Sequence, residues 1–187
     1  VSYLMTTTYT NGSLSQQYGL FCALLFDDDS TLMGASNLGQ CLTQLGHQVY
    51  YIEMYDPKDQ TPGISDRQRD LAMGERIIDH RLSYQQVVEE EFLKSFDAVI
   101  CTKYPKIFIN KFLSRKWCFL HKRPCFISLY AGLDFDVLTG FKNRIFFDVI
   151  CLNSVGHKKE WVKWAPKKLK KQQKVHILNP YFIARGS

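Results

Sequence analysis

Three adjacent carboxylates, Asp27, Asp28 and Asp29, followed by Ser30, stand directly behind the apolar run Leu20 to Phe26. Neighbouring carboxylates repel one another, so their joint ionisation needs a cation or hydrogen-bond donors close by. Lys103 or Mg²⁺ would meet that need. The same residue types also have a routine structural use, because Asp29 or Ser30 can accept a hydrogen bond from a free N–H at the start of a following helix. A second polar group lies at Asn153, Ser154 and His157. The neutral imidazole of His157 would exchange a proton near pH 7, and the plainer alternative is an exposed histidine at a helix start.

Motifs with a fixed chemistry narrow the choices. Gly34 is a lone glycine and forms no GxGxxG fingerprint, and neither a phosphate-binding Walker loop nor a GxSxG nucleophile elbow occurs. Dehydrogenase, loop ATPase and serine hydrolase chemistry lose their main support. The six cysteines show no two-residue spacing, and His80, His121 and His176 have no metal-ligand spacing among them. No metal site is expected. Cys22, Cys101, Cys125 and Cys151 lie in apolar runs, where free Cys behaves as a small hydrophobe, in keeping with a reducing compartment.

The elements that would position these groups alternate between strand-length apolar runs and helical patterns, the signal of a mainly parallel sheet covered on both faces. Six strands are expected, at Leu20 to Phe26, His47 to Met54, Asp97 to Thr102, Pro124 to Tyr130, Phe147 to Leu152 and Lys174 to Leu178. A helix from Leu32 to Leu45 stops at Gly46. Further helices are expected over Asp66 to Ile78, Tyr84 to Ser95 and Lys106 to Leu120, with an irregular stretch from Gly132 to Phe146. The fold class is α/β, a three-layer Rossmann-like domain over residues 18–183, with a polar N-terminal arm at 1–17 and a tail at 184–187. In such sheets ligands bind beyond the carboxyl ends of the strands. That rim would gather Asp27, Ser30, Lys103, Tyr104, Tyr130, Gly132, Asn153 and Ser154 as substrate-binding residues.

The chain has 187 residues, 45% apolar and 22% charged, and a formal charge of +6. These proportions exclude disordered, collagenous and disulfide-stapled classes. The longest apolar run is Leu20 to Phe26, against about 20 residues for a spanning helix. The first fifteen residues contain no Lys or Arg and no long apolar run, so no secretory signal is expected. A cytoplasmic location is expected, peripheral to the inner face of a membrane. The excess charge lies between Lys158 and Lys174, where eight lysines face one acid, Glu160. Lys158, Lys159, Trp161, Trp164, Lys167, Lys168, Lys170 and Lys171 would form a basic, aromatic membrane surface, with Pro166 interrupting the helix or opening a second one. The alternative packs Trp161, Ala165 and Leu169 on the sheet and leaves the lysines solvated. Nucleic-acid phosphate would attract the same charges, but no nucleic-acid partner is expected.

Two families are similar to parts of this pattern. Leu24 to Leu32, with Asp27-Asp28-Asp29-Ser30-Thr31 at its centre, resembles the first motif of haloacid-dehalogenase-type phosphatases. That resemblance implies Asp27 as a covalent nucleophile, Asp29 as a proton-handling residue and Mg²⁺ as cofactor. Thr102 or Ser128 would stand for the second motif, and Asp134 and Asp136 are the candidates for the later acidic one. A wider series resembles the N-terminal half of GT-B-type glycosyltransferases, in particular bacterial ones connected with surface polysaccharide. It comprises the first strand ending in Asp27-Asp28-Asp29-Ser30, Leu45-Gly46-His47-Gln48-Val49, Phe96-Asp97-Ala98-Val99-Ile100, Arg123-Pro124-Cys125-Phe126-Ile127 with Gly132, and Phe147-Asp148-Val149-Ile150-Cys151-Leu152-Asn153-Ser154. The resemblance implies an acceptor-binding half for a sugar or lipid-linked acceptor, with the nucleotide sugar donor on a C-terminal second domain and no resident cofactor. A general base beside the acceptor hydroxyl would then be Asp28, Asp29 or His157. A non-catalytic module binding an anionic membrane surface is the third expectation.

Overall fold

A computed structural model describes residues 5–7, 16–27, 29–58, 78–102, 124–129, 147–165 and 174–178. Met5–Thr7 (β1) and Gln16–Tyr18 (β2) pair as a small antiparallel ladder. The main sheet follows with Phe21–Phe26 (β3), helix Asp29–Gln44 (α1), Gln48–Tyr55 (β4) and His80–Ser83 (β5). Two short helices, Tyr84–Val87 (α2) and Glu90–Lys94 (α3), lead to Ala98–Cys101 (β6) and Cys125–Leu129 (β7). Val149–Leu152 (β8), helix Val155–Trp164 (α4) and Lys174–Ile177 (β9) complete the described elements.

The seven strands β3 to β9 form one sheet in the order β5-β4-β3-β6-β7-β8-β9, and every neighbouring pair is parallel. The architecture is α/β and Rossmann-like. Counted along the chain, the sheet's strands stand third, second, first, fourth, fifth, sixth, seventh, the Rossmann order with one strand added. The chain therefore builds outward from β3 to β5, then crosses back to lay β6 on the other side of β3. That reversal is the switch point of the sheet.

Apolar runs fill both faces, as strands covered on two sides require. Alternation along β3 turns Ala23 and Leu25 into one cluster with Ile52, Met54, Val99 and Cys101, and Leu24 and Phe26 into a second with Ile100 and Leu129. Leu32 and Ala35 of α1 cover the second cluster. Val87, Leu93, Trp161 and Ala165, from α2, α3 and the end of α4, cover the first. Helix α1 ends as expected at Gly46, whose φ of 86° is strained for other residues. The Gly46 N–H donates to Thr43 O and the His47 N–H to Leu42 O, which closes the last turn and delivers the chain into β4. Gly39 is needed for space instead. A Cβ there would collide with the Tyr51 hydroxyl, so its bare backbone lets the ring cross the helix.

The ladders begin with a recurring device. Asp79, Asp97 and Asp148 each stand one residue before a strand, and each pairs twice with one residue of the neighbouring strand. The N–H of Asp97 donates to Phe21 O at 2.9 Å, while its Oδ2 accepts the Phe21 N–H at 2.9 Å. Asp148 treats Phe126 in the same way, and Asp79 treats Tyr51. In each case the clamp sits one step before the first ladder pair, Cys22 with Ala98, Ile127 with Val149 and Ile52 with His80.

The six expected strands are all present, within two residues at each end, and the sheet is wholly instead of mainly parallel. Three details differ. Strand β5, His-Arg-Leu-Ser, escapes the sequence pattern because an edge strand paired on one side needs no apolar run. The single helix expected from Tyr84 to Ser95 is two, since the backbone leaves helical geometry at Glu89, with φ −65° and ψ 126°. Ser83 starts the first of them with a capping box to Gln86. Helix α1 starts at Asp29, three residues early. Of the helix expected over Asp66 to Ile78, all but Ile78 lies outside the described residues, as do the helix expected over Lys106 to Leu120 and the irregular stretch from Gly132 to Phe146.

Two measurements check this packing. Replacing Asp148 by Ala should lower stability by about 1.5–3 kcal/mol, the range for a hydrogen bond to a charged acceptor, and Asp148→Asn by less; equal urea midpoints for all three proteins would show that the clamp is idle. Burial pushes the Cys22 thiol, with Asp97 adding to the effect, and the Cys151 thiol up to about 11 from an ordinary 9.0, and raises Cys101 further. The unfolded chain then releases these protons first, so the stabilisation is complete below pH about 9 and is lost as pH rises through the folded values. Urea midpoints should be level from about pH 7 to about pH 8.5 and fall by about pH 10.5; a level profile throughout would contradict the burial of these thiols.

Candidate functional site

The polar rim anticipated at the carboxyl ends of the strands exists in part. Asp27 follows β3 directly and is 8% exposed. Its carboxylate Oδ2 accepts a hydrogen bond from the Tyr84 hydroxyl at 3.0 Å, and its N–H donates to Thr31 Oγ1 at 3.2 Å. Thr102, at the end of β6, donates both its N–H and its hydroxyl to Leu25 O, at 3.1 and 2.8 Å. Because β6 lies beside β3, Asp27 and Thr102 mark the two lips of the switch point. Asn153 and Ser154 follow β8 on the same edge.

Asp28, Lys103, Tyr104, Tyr130 and Gly132 lie outside the described residues, as do Lys167, Lys168, Lys170 and Lys171. Asp29 and Ser30 open α1, so their backbones sit beside Asp27. The Ser154 Oγ accepts the His157 N–H at 3.2 Å and caps α4. His157 is the third residue of that helix and half-buried, and the strand before it, β8, stands beyond β6 and β7 from β3. Three strand spacings therefore separate the ends of β3 and β8 that precede Asp27 and His157.

The basic face is also revised. Trp161 is 4% exposed and belongs to the core with Ala165, so it is a packing residue and not an interfacial anchor. Its place on α4 falls on the stripe that turns toward the sheet. Val155 and Val162 instead face outward, with Lys159 and Lys163 exposed on the same helix. Trp164 is the last residue of α4. Among the described residues no helix is long and apolar enough to cross a membrane.

The structure adds residues that the sequence did not single out. Tyr84 reaches Asp27 across 57 positions of chain. Glu53 of β4 is 1% exposed and forms an ion pair with Arg81 of β5, Nε to Oε1 at 3.5 Å. Arg81 also lies over the Tyr55 ring, 4.8 Å from its centre. The signal for this pair in the sequence is Glu53 itself, a charge between Ile52 and Met54 inside a strand. Ionised carboxylates are rarely taken out of water without a partner, so Glu53 implies a nearby cation without locating it. No group of three or more metal-ligating side chains placed to hold an ion occurs among the described residues.

With this geometry in place, comparison with known proteins adds no family: no family model matches the chain, and no curated protein matches it. The site is therefore interpreted from its own chemistry, a buried carboxylate oriented by a phenol at the switch point of a Rossmann-like sheet. Ser154→Ala should lower stability by about 1 kcal/mol, and Ser154→Asp should retain it, because either oxygen can cap α4. Full stability of the alanine variant in a thermal melt would contradict the capping role.

Proposed function

We propose that this chain is the acceptor-binding half of a glycosyltransferase of the GT-B type. The observation that carries the reading is the Asp27 carboxylate, buried and held by Tyr84 at the switch point between β3 and β6. Ligands of open α/β sheets bind at that point. A carboxylate accepts up to about four hydrogen bonds, so Asp27, oriented by a phenol, has the chemistry to position sugar hydroxyls. Asp28 and Asp29, next in the chain, are the candidates for the base that takes a proton from the reacting hydroxyl. The acceptor is a sugar or a lipid-linked sugar, the donor a nucleotide sugar held by a second domain, and the lysines of α4 face the anionic membrane that carries such an acceptor.

Calorimetric titration against a panel of neutral mono- and oligosaccharides tests the reading. At least one should bind, and Asp27→Asn should weaken it by about tenfold with an unchanged circular dichroism spectrum. A panel in which nothing binds, or equal affinity in the variant, sinks the proposal. Mg²⁺-dependent release of phosphate from an aryl phosphate, lost in Asp27→Asn, would instead assign the site to phosphatase chemistry with Asp27 as nucleophile.

A further inference from the structure

Asp27 stands at the switch point of the sheet, yet its carboxylate is closed to solvent. Only 8% of the residue is exposed, its Oδ1 is buried, and its Oδ2 is already bonded by the Tyr84 hydroxyl at 3.0 Å. An arriving ligand therefore has to displace a group before it reaches the carboxylate. Tyr84 can leave without penalty to Asp27. A phenol and an alcohol are the same kind of donor, so when a ligand hydroxyl takes the place of Tyr84 the buried carboxylate keeps its hydrogen bond and is not left uncompensated.

The fold places Tyr84 as a cover. Asp27 continues the alternation of Ala23 and Leu25, and Leu82 and Tyr84 pack against the same cluster, so both side chains lie on one face of the sheet. Strand β4 stands between β3 and β5, and the phenol spans its end to reach Asp27. The backbone beneath Tyr84 is held firmly. The Ser83 N–H and hydroxyl donate to Gln86 Oε1 at 2.8 and 2.9 Å, the Gln86 N–H donates to Ser83 Oγ at 3.3 Å, and Val87 and Val88 are buried in the core. Tyr84 itself is only half-buried, and side chains near a surface change rotamer on the order of nanoseconds. Opening is thus a rotation of the side chain and not a movement of α2. We propose that the Tyr84 hydroxyl stands where a hydroxyl of the acceptor binds, and that the acceptor enters by displacing it, so that Tyr84 gates the site in competition with the ligand. This rests on the reading of Asp27 as an acceptor-binding carboxylate.

Two experiments test the gate. In the first, the chain, Tyr84→Leu and Tyr84→Phe are treated with a water-soluble carbodiimide and glycine ethyl ester, and modification of each carboxyl group is measured by peptide mass spectrometry. Asp27 should react several times faster in Tyr84→Leu, which loses both the hydroxyl and the reach, and by a smaller factor in Tyr84→Phe. Asp97, exposed at the opposite end of the sheet, should react equally in all three. Tyr84→Phe fills the same space and carries the test if the leucine variant does not fold. Asp27 rates equal to those of the unaltered chain overturn the gate. In the second, the chain and Tyr84→Phe are titrated calorimetrically with glucose, galactose, N-acetylglucosamine and maltose. A sugar that binds should bind Tyr84→Phe about tenfold more tightly, because no hydrogen bond has to be given up. Equal or weaker binding overturns the gate and leaves Tyr84 as a positioning residue for Asp27. If no sugar binds either protein while Asp27 still reacts faster in the variants, the acceptor reading fails and the cover over Asp27 stands.

Discussion

Parallel strands begin with a geometric difficulty. The first N–H that points toward a neighbour finds no backbone carbonyl there, because the neighbour's segment has only just entered the sheet. An exposed amide binds water, but water fixes no register, and a slip of one residue would turn every side chain to the opposite face. Here an aspartate one residue ahead of the strand supplies the missing acceptor and donates its own N–H to the same partner residue, at Phe21, Tyr51 and Phe126. Asp97 and Asp148 also accept, through their carbonyls, the N–H of Cys125 and Lys174 at the start of the next strand. Each thus joins three consecutive strands, β3-β6-β7 and β7-β8-β9.

The candidate site depends on that arrangement. The seam between β3 and β6 is the one place in the sheet where chain order and strand order diverge, and Asp97 clamps its lower end. Its upper end brings Asp27 beside Thr102. Buried polar groups are tolerated at this end because each has a defined neighbour: Tyr84 for Asp27, Leu25 O for Thr102, Arg81 for Glu53. Such groups weaken a core less than they would alone, since the penalty for a buried charge is largest when it lacks a counterpart. The outcome is a sheet whose amino edge is clamped by aspartates and whose carboxyl edge buries Asp27 and Glu53, each beside a partner side chain.

The apolar runs made most of this sheet legible. Leu20 to Phe26 reads as buried on both faces, and that demands a central strand with helices on each side. Gly46 marked the end of α1 because a left-handed residue closes the helix there. Strand β5 was not legible, since His80 and Arg81 are polar and its single neighbour is enough to hold it. Tyr84 and Arg81 were missed for a related reason: their partners are far away in the chain, and a lone tyrosine or arginine looks the same on a surface as in a site. Trp161 posed the converse difficulty. An aromatic among lysines suits a membrane face and a core face equally, and only the packing of α4 against the first cluster distinguishes them. The Asp97 and Asp148 positions were visible as repeated Asp-apolar junctions, but their clamping role needs the neighbouring strand to be known.

The register and the site above it are tested most directly by scalar couplings across hydrogen bonds, measured by nuclear magnetic resonance on uniformly labelled protein. The clamps predict couplings from the amides of Phe21, Tyr51 and Phe126 to the side-chain carboxyl carbons of Asp97, Asp79 and Asp148, together with a backbone coupling from the Thr102 amide to the Leu25 carbonyl. Couplings that place β6 beside any strand other than β3 and β7, or that show these strands running antiparallel, would contradict the register and dissolve the site built upon it.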